Sequence, residues 1–411
     1  MNICMLLAGR DFPPDIRVEK EARALCSAGH RVVIVCSAHR GRSLQDRWGE
    51  CEIVRVPPPA WLPRKLNGLV FWTTFFHPQW ARLIAHLAHD GQIDVLHVHD
   101  LPMVGTALAV GRRYGIPVVA DLHENYPEIR RYYQVKRQPW YRRLIEVLNT
   151  TDRWKAYERR CAHAAHRVLV VVDEAKARLV EAGVPAGKIT VVENTEDASY
   201  SCELPIDEDI LSKYEGEFVV SFVGWFGGAH RGLVTAVKAM PMILREIPGA
   251  RLLLVGDGPI KPLLESMVAE RSLEERVTFI GWQPFEKVPS FIALSTVCLV
   301  PSESNPQTEA TIPHKLFQYM LLGKPVVVSS CRPLRRVVEE TGGGLVFEAG
   351  NSRSLAQAVI QLKDPELREQ MGRAGQQAAL GEYNWEHTSE KLLRVYEELR
   401  AVPLDGGSSR G

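Results

Sequence analysis

The stretch NICMLLAGRDFPPDIRVEKEARALCSAGHRVVIVCS, residues 2–37, reads as strand, helix, strand. Its ends, NICMLLA and RVVIVCS, are continuous apolar runs rather than alternations, the pattern of parallel strands buried on both faces. Between them RVEKEARALCSAG carries Val18, Ala22, Leu25 and Cys26 on one face and stops at Gly29. The first strand runs into AGRDFPPDI, with one glycine where a dinucleotide fingerprint needs three. That argues against a dehydrogenase.

Ten further runs extend the pattern: IDVLHVH, PVVADLH, RVLVVVD and KITVVEN, then EFVVSFVGW, ARLLLVGDG, RVTFIGW, TVCLVPS, KPVVVSS and GGLVFEA. Strand–helix alternation throughout predicts α/β architecture, two Rossmann-like doubly wound domains of about six strands each. The alternation pauses over residues 195–217, TEDASYSCELPIDEDILSKYEGE, which is acidic and turn-rich. The boundary is therefore placed between a domain over 1–200 and a second over 201–380. The tail 404–411, LDGGSSRG, is expected to be disordered. Ligands in such sheets bind at the carboxyl ends of the strands, which puts the expected site in the cleft between two facing sheets.

The 411 residues exceed what one core usually supports, and a formal net charge of +1 leaves no global attraction to nucleic acid. Eight cysteines show no CxxC pair or metal spacing, and several sit in apolar runs, as buried thiols of a reducing compartment would. MNICMLLAGR lacks the basic flank of a signal peptide, and no apolar run is long enough to span a bilayer. A cytoplasmic protein is expected. Residues 61–90 carry Trp61, Phe71, Trp72, Phe75, Phe76 and Trp80, and residues 129–160 carry ten Lys/Arg against three Asp/Glu. These stretches read either as a docking surface for the anionic inner face of a membrane or as core aromatics beside a solvated basic helix.

After EFVVSFVGW comes FGGAHRGL, where Gly227 and Gly228 permit close backbone approach and His230 and Arg231 add positive charge. That suits a phosphate-bearing ligand; a flexible turn with a solvated arginine is the plain alternative. After TVCLVPS, a short helix opens with Pro313-His314-Lys315, places Lys315 and Gln318 on one face, and packs Leu316 and Phe317 on the sheet. Lys315 and the free N–H groups of the first turn make an anion site. Held also by Arg231, the natural ligand is a diphosphate. VLHVHDLP and VVADLHENYPE put His97, His99, Asp100, His123 and Glu124 at strand ends, where loop hydrogen bonds are the stronger reading and a metal the weaker one.

Taken together these residues resemble the family 4 glycosyltransferases, retaining enzymes of the GT-B fold. FPPDIRVEKEARALCSAGHRVVIV, DVLHVHDLP, VVADLHENYPE, KITVVEN, FVGWFGGAHRGL, LLLVGDGP, VTFIGW and PHKLFQYMLLGKPVV follow in family order, and YNWEHTSEKLLRVYEEL (residues 383–399) is similar to the last helices, which return to the first domain. That return is placed over 381–403. The resemblance implies transfer of a sugar from a nucleotide diphosphate sugar, UDP favoured, to a glycan, lipid-linked or small-molecule hydroxyl acceptor, with no cofactor, no metal and no nucleic acid. It implies catalytic roles for His123, Arg231 and Lys315. Donor contacts are implied at Gly227, Gly228, His230, Gly256, Trp282, Gln283, Glu309, Pro313, His314, Leu316 and Gln318, and an acceptor side at Asp15, Arg17, His99 and Glu124.

Three positions depart from the family pattern. Gly224-Trp225 stands where Gly-Arg is usual, so one of two cations is missing from that loop. The family has Glu, seven residues, Glu; here the second position is Gln318, and eight residues before it stands Ala310, with Glu309 adjacent. An amide offers one acceptor oxygen where a carboxylate offers two, so restoring Gln318→Glu is expected to tighten nucleotide binding. A non-catalytic partner subunit of the same fold and a nucleotide-sugar 2-epimerase are the alternatives.

Overall fold

Every apolar run quoted above forms a strand. The computed structural model describes residues 1–39, 41–58, 70–133, 150–202 and 205–401. Contacts divide it into two units, the first running from Met1 to Val192 and resuming at Ser389, the second spanning Glu193–Thr388. The division falls earlier than residue 200, because the acidic stretch after it belongs with the second unit. The return falls at Ser389, inside the helix Trp385–Ala401, rather than at 381. The tail 404–411 lies outside the described residues.

Unit one holds β1 (Asn2–Leu7), β2 (Arg31–Ser37), β3 (Gln45–Trp48), β4 (Cys51–Val56), β5 (Val95–His99), β6 (Val118–Asp121), β7 (Arg167–Val170) and β8 (Ile189–Val191), in the order β3-β4-β2-β1-β5-β6-β7-β8. All pairs are parallel except β3 with β4. That hairpin is absent from the sequence reading, which expected six strands here. Its residues QDRW and CEIVRV are too polar to read as a buried run, and Arg55 interrupts the second. Arg55 is buried because its guanidinium pairs with Asp11 at 2.7 Å and Asp46 at 3.1 Å.

Unit two holds β9 (Phe218–Val223), β10 (Ala250–Val255), β11 (Val277–Gly281), β12 (Val297–Val300), β13 (Val326–Ser329) and β14 (Gly344–Phe347), ordered β11-β10-β9-β12-β13-β14 and all parallel. Val220, Phe222, Leu252 and Leu254 pack on Val237 and Met240 of the helix Leu233–Glu246. Strand order reverses between β1 and β5 in unit one and between β9 and β12 in unit two, so ligand crevices are expected beyond those strands' carboxyl ends.

Of the described aromatics of residues 70–90, Phe75 and Trp80 are buried and Phe71, Trp72 and Phe76 are half-buried. Phe75 stacks on Tyr157 and meets Trp154, and Phe75, Trp80 and Trp154 are buried. Arg153 donates to the carbonyls of Trp72 and Thr73 and lies 4.3 Å from the Phe75 ring centre. For Phe75 and Trp80 the docking expectation gives way to packing, because their rings are already covered. Trp61 and residues 134–149 lie outside the described residues. Among the described residues no helix is long and apolar enough to cross a membrane.

Candidate active site

In unit two the helix His314–Leu321 is fastened to the end of β9 by Tyr319, whose hydroxyl accepts from Val223 N at 2.9 Å. One turn earlier, Lys315 reaches the same strand end. Its Nζ stands 3.4 Å from the Phe222 ring centre, and a Cβ on Gly224 would come within 2.6 Å of it. Gly224 has φ +138, a conformation open mainly to glycine, so the glycine makes room for the ammonium. Arg231 closes a single 3₁₀ turn, Ala229–Arg231, and its Nε is buried without a hydrogen-bond partner among the described residues. None of the ion pairs among the described residues places a carboxylate within 4.0 Å of Arg231 or Lys315. Burial, with the charge of Arg231 added, holds the Lys315 pKa well below the ordinary lysine range. Two basic side chains converge here with no carboxylate among the described residues to balance them.

His230 contributes no charge to this site. Burial, aided by Arg231, pulls its pKa down to about 4, so the expected second cation of the loop is a neutral imidazole near pH 7. Glu309 is also spoken for. Its carboxylate accepts from Ser304 Oγ at 2.6 Å and from Arg332 N and Nε at 3.0 and 3.2 Å, at the start of the helix Arg332–Thr341. Leu316 is fully buried and its N–H returns to Pro313 O, so it serves packing rather than a ligand. Gln318 donates from Nε2 to Glu196 Oε2 at 2.9 Å. Gly256 N donates to Gly281 O at 2.9 Å, joining the loop after β10 to the end of β11, and beside that joint Trp282 is 70% exposed.

In unit one the ends of β5 and β6 carry a buried charge network. Asp121 is the hub: Arg17 donates to both its oxygens at 2.7 and 2.9 Å, and His99 and His123 Nδ1 lie 3.0 and 3.1 Å from Oδ2. His123 Nε2 lies 3.3 Å from Asp100. Burial disfavours charge on His123, but Asp100 and Asp121 outweigh it and raise its pKa well above the usual histidine range. Carboxylates thus face His123 at both nitrogens, an arrangement that favours the imidazolium. Burial likewise opposes the Asp121 carboxylate, yet Arg17 and His123 hold its pKa well below normal.

Ligand-type atoms of Glu21, His97, His99 and Asp121 lie within 4.8 Å of one another, the spacing of a metal cluster. The Arg17 guanidinium already bridges Glu21 at 3.0 Å and Asp121 at 2.7 Å. A divalent ion there would share both carboxylates with an arginine, so the donor set suits Arg17 better than a metal. Arg17 and His99 are thus buried beneath His123 rather than placed on an acceptor surface. Asp15 caps the helix Ile16–Ser27 by accepting from Val18 N, and Glu124 is partly exposed.

Comparison with known proteins agrees with this layout. Residues 16–199 match the family model "Glycosyltransferase Family 4", and residues 205–378 match "Glycosyl transferases group 1". The chain belongs to the family 4 glycosyltransferases. It is 24% identical over 299 residues to alpha-D-kanosaminyltransferase of Streptomyces kanamyceticus, covering 71% of this chain and 72% of that one. Among solved structures it resembles sucrose-phosphate synthase from Thermosynechococcus elongatus, with TM-score 0.77 and 21% identity over 98% of this chain and 100% of that one. It also resembles Anabaena HepE, solved in complex with UDP and glucose, with TM-score 0.74 and 16% identity over 98% and 100%. The fold is GT-B.

For this glycosyltransferase, sequence reasoning missed Asp121 and Glu196. The signal for Asp121 was a charged residue closing the apolar run PVVAD, which is costly unless the charge is paired. The sequence offered no such signal for Glu196, whose partner Gln318 is 122 residues away. Pro313 and His314 stand at the mouth of the Lys315 helix, partly exposed, as do Gly228 and Gln283 on their loops, while Gly227 is covered by the Trp225 ring.

Proposed function

We propose that this glycosyltransferase moves a sugar from a UDP-sugar to a hydroxyl of a glycan, lipid-linked or small-molecule acceptor, with retention and without a metal. The observation that carries the reading is the uncompensated pair Arg231 and Lys315 beyond β9 and β12, at the point where strand order reverses. A departing diphosphate is the anion such a pair fits, and fixed cations aimed at growing charge are usually the largest catalytic contribution. The UDP named for Anabaena HepE supports uridine as the base.

In the proposed step the bond from the sugar's anomeric carbon to the diphosphate breaks, and its electron pair goes to the phosphate oxygen. The acceptor oxygen bonds to that carbon on the same side, and its proton passes to the departing oxygen. His123 does not take that proton, because an imidazolium held by two carboxylates has no free lone pair. Its share is to place a fixed positive charge beside the sugar, since both its N–H groups are taken up by Asp100 and Asp121. His123→Ala is expected to cut transfer while leaving UDP affinity nearly unchanged. Equal loss of both would remove His123 from the transfer step.

A further inference from the structure

Gln318 sits one turn beyond Lys315 on the same face of the helix His314–Leu321. It and Glu196, joined at 2.9 Å, are 7% and 5% exposed. Glu196 comes from another element, the segment after β8, and that segment is pinned on two sides. Asn194 Nδ2 donates to Ile312 O at 2.9 Å, at the entrance to the helix. Trp385 N donates to Glu196 O at 3.0 Å, and the Thr195 and Thr388 hydroxyls meet at 2.8 Å. Asp197 N donates to Glu196 Oε1 at 3.2 Å. A carboxylate and an amide are thus held in fixed register one helical turn from the diphosphate cations, where a side chain fixed by its surroundings loses little on binding.

We infer that Glu196 is the carboxylate that recognises the donor's ribose, forming with Gln318 a subsite for a vicinal diol. The inference rests on the nucleoside-diphosphate reading above and adds which residue reads the sugar of the nucleoside. A cis-diol presents two O–H donors, and one carboxylate accepts from both in charge-assisted hydrogen bonds. The Gln318 amide orients that carboxylate through its N–H and offers its carbonyl oxygen as a further acceptor. A second carboxylate at 318 would stand where this 2.9 Å contact now is, and two carboxylates that close cannot both stay ionised without repulsion. Gln318 is matched to Glu196. The expectation that Gln318→Glu tightens nucleotide binding is therefore reversed.

The test is calorimetric titration of the full chain with UDP, GDP and ADP, the 2′,3′-dideoxy analogue of whichever binds, and pyrophosphate. The wild-type protein should prefer the ribonucleotide to its dideoxy analogue by about 10- to 100-fold. Glu196→Gln should lose that preference and keep pyrophosphate affinity. Gln318→Glu should weaken nucleotide binding, and the exchange Glu196→Gln with Gln318→Glu should recover most of it. Equal binding of the ribonucleotide and dideoxy analogue by the wild-type protein, a comparison that needs no variant to fold, would overturn the inference while leaving the donor reading intact. So would a Glu196→Gln variant that loses pyrophosphate and nucleotide alike. No binding of any nucleoside diphosphate to the wild-type protein would overturn both.

Discussion

Lys315 and His123 are pushed in opposite directions by their surroundings, and each shift is testable. Lys315 is depressed by burial and by Arg231, so a diphosphate beside it would raise its pKa again. Nucleotide binding should then take up protons, and affinity should fall as pH rises through the depressed value. Titrations in buffers of different ionisation enthalpy would measure the uptake; zero uptake across the alkaline range would contradict it. His123 is raised, so its interaction with Asp100 and Asp121 stabilises the fold fully below the unfolded histidine pKa, and that contribution is lost as pH rises through the folded pKa. Imidazole NMR signals should show His123 still protonated at neutral pH, and Asp121→Asn should bring its titration down toward the ordinary range. Arg231→Ala and Lys315→Ala should each slow turnover about 10²- to 10³-fold with folding intact, as removal of one transition-state donor does. The charges at 231 and 315 were readable from sequence, since both stand in the segments between a strand's end and the next one, near a turn or a helix start. That His230 is neutral was not, because its place is fixed by contacts far along the chain, such as the Glu303 N–H that donates to its carbonyl.

At the scale of elements, the β9 loop is shaped by two glycines with different tolerances. Gly232, φ +71, precedes the helix Leu233–Glu246, and a Cβ there would lie 1.6 Å from the Pro301 carbonyl oxygen. Backbone cannot yield as a side chain can, so Gly232→Ala should destabilise the protein by about 2–4 kcal/mol, read as a fall in the midpoint of denaturant unfolding. At Gly224 the obstructing atom is the mobile end of Lys315, so Gly224→Ala should cost less stability and more nucleotide affinity. A Gly232→Ala protein as stable as wild type would refute the close approach. Twelve of the strands were legible because parallel strands buried on both faces have to be continuously apolar. β3 and β4 escaped because an edge hairpin needs only one covered face, and because Asp11 and Asp46 neutralise Arg55 from distant positions.

For the whole molecule, the family and the GT-B fold follow from motifs spread over both units, and the chemistry proposed for it stands on unit two's paired cations. The roles of Ala310 and Gln318 were the least readable part of the chain, since a missing carboxylate says nothing about one supplied elsewhere. The most direct measurement is thermal unfolding of the purified protein with UDP, GDP, ADP and NAD, each with and without a chelator. A ligand at a hundred times its dissociation constant adds about 2.7 kcal/mol, enough to move the midpoint visibly. A rise with UDP that survives the chelator, and that Lys315→Ala abolishes, is the predicted result. No rise with any nucleoside diphosphate, or a rise that the chelator removes, would contradict a metal-independent diphosphate site at Arg231 and Lys315.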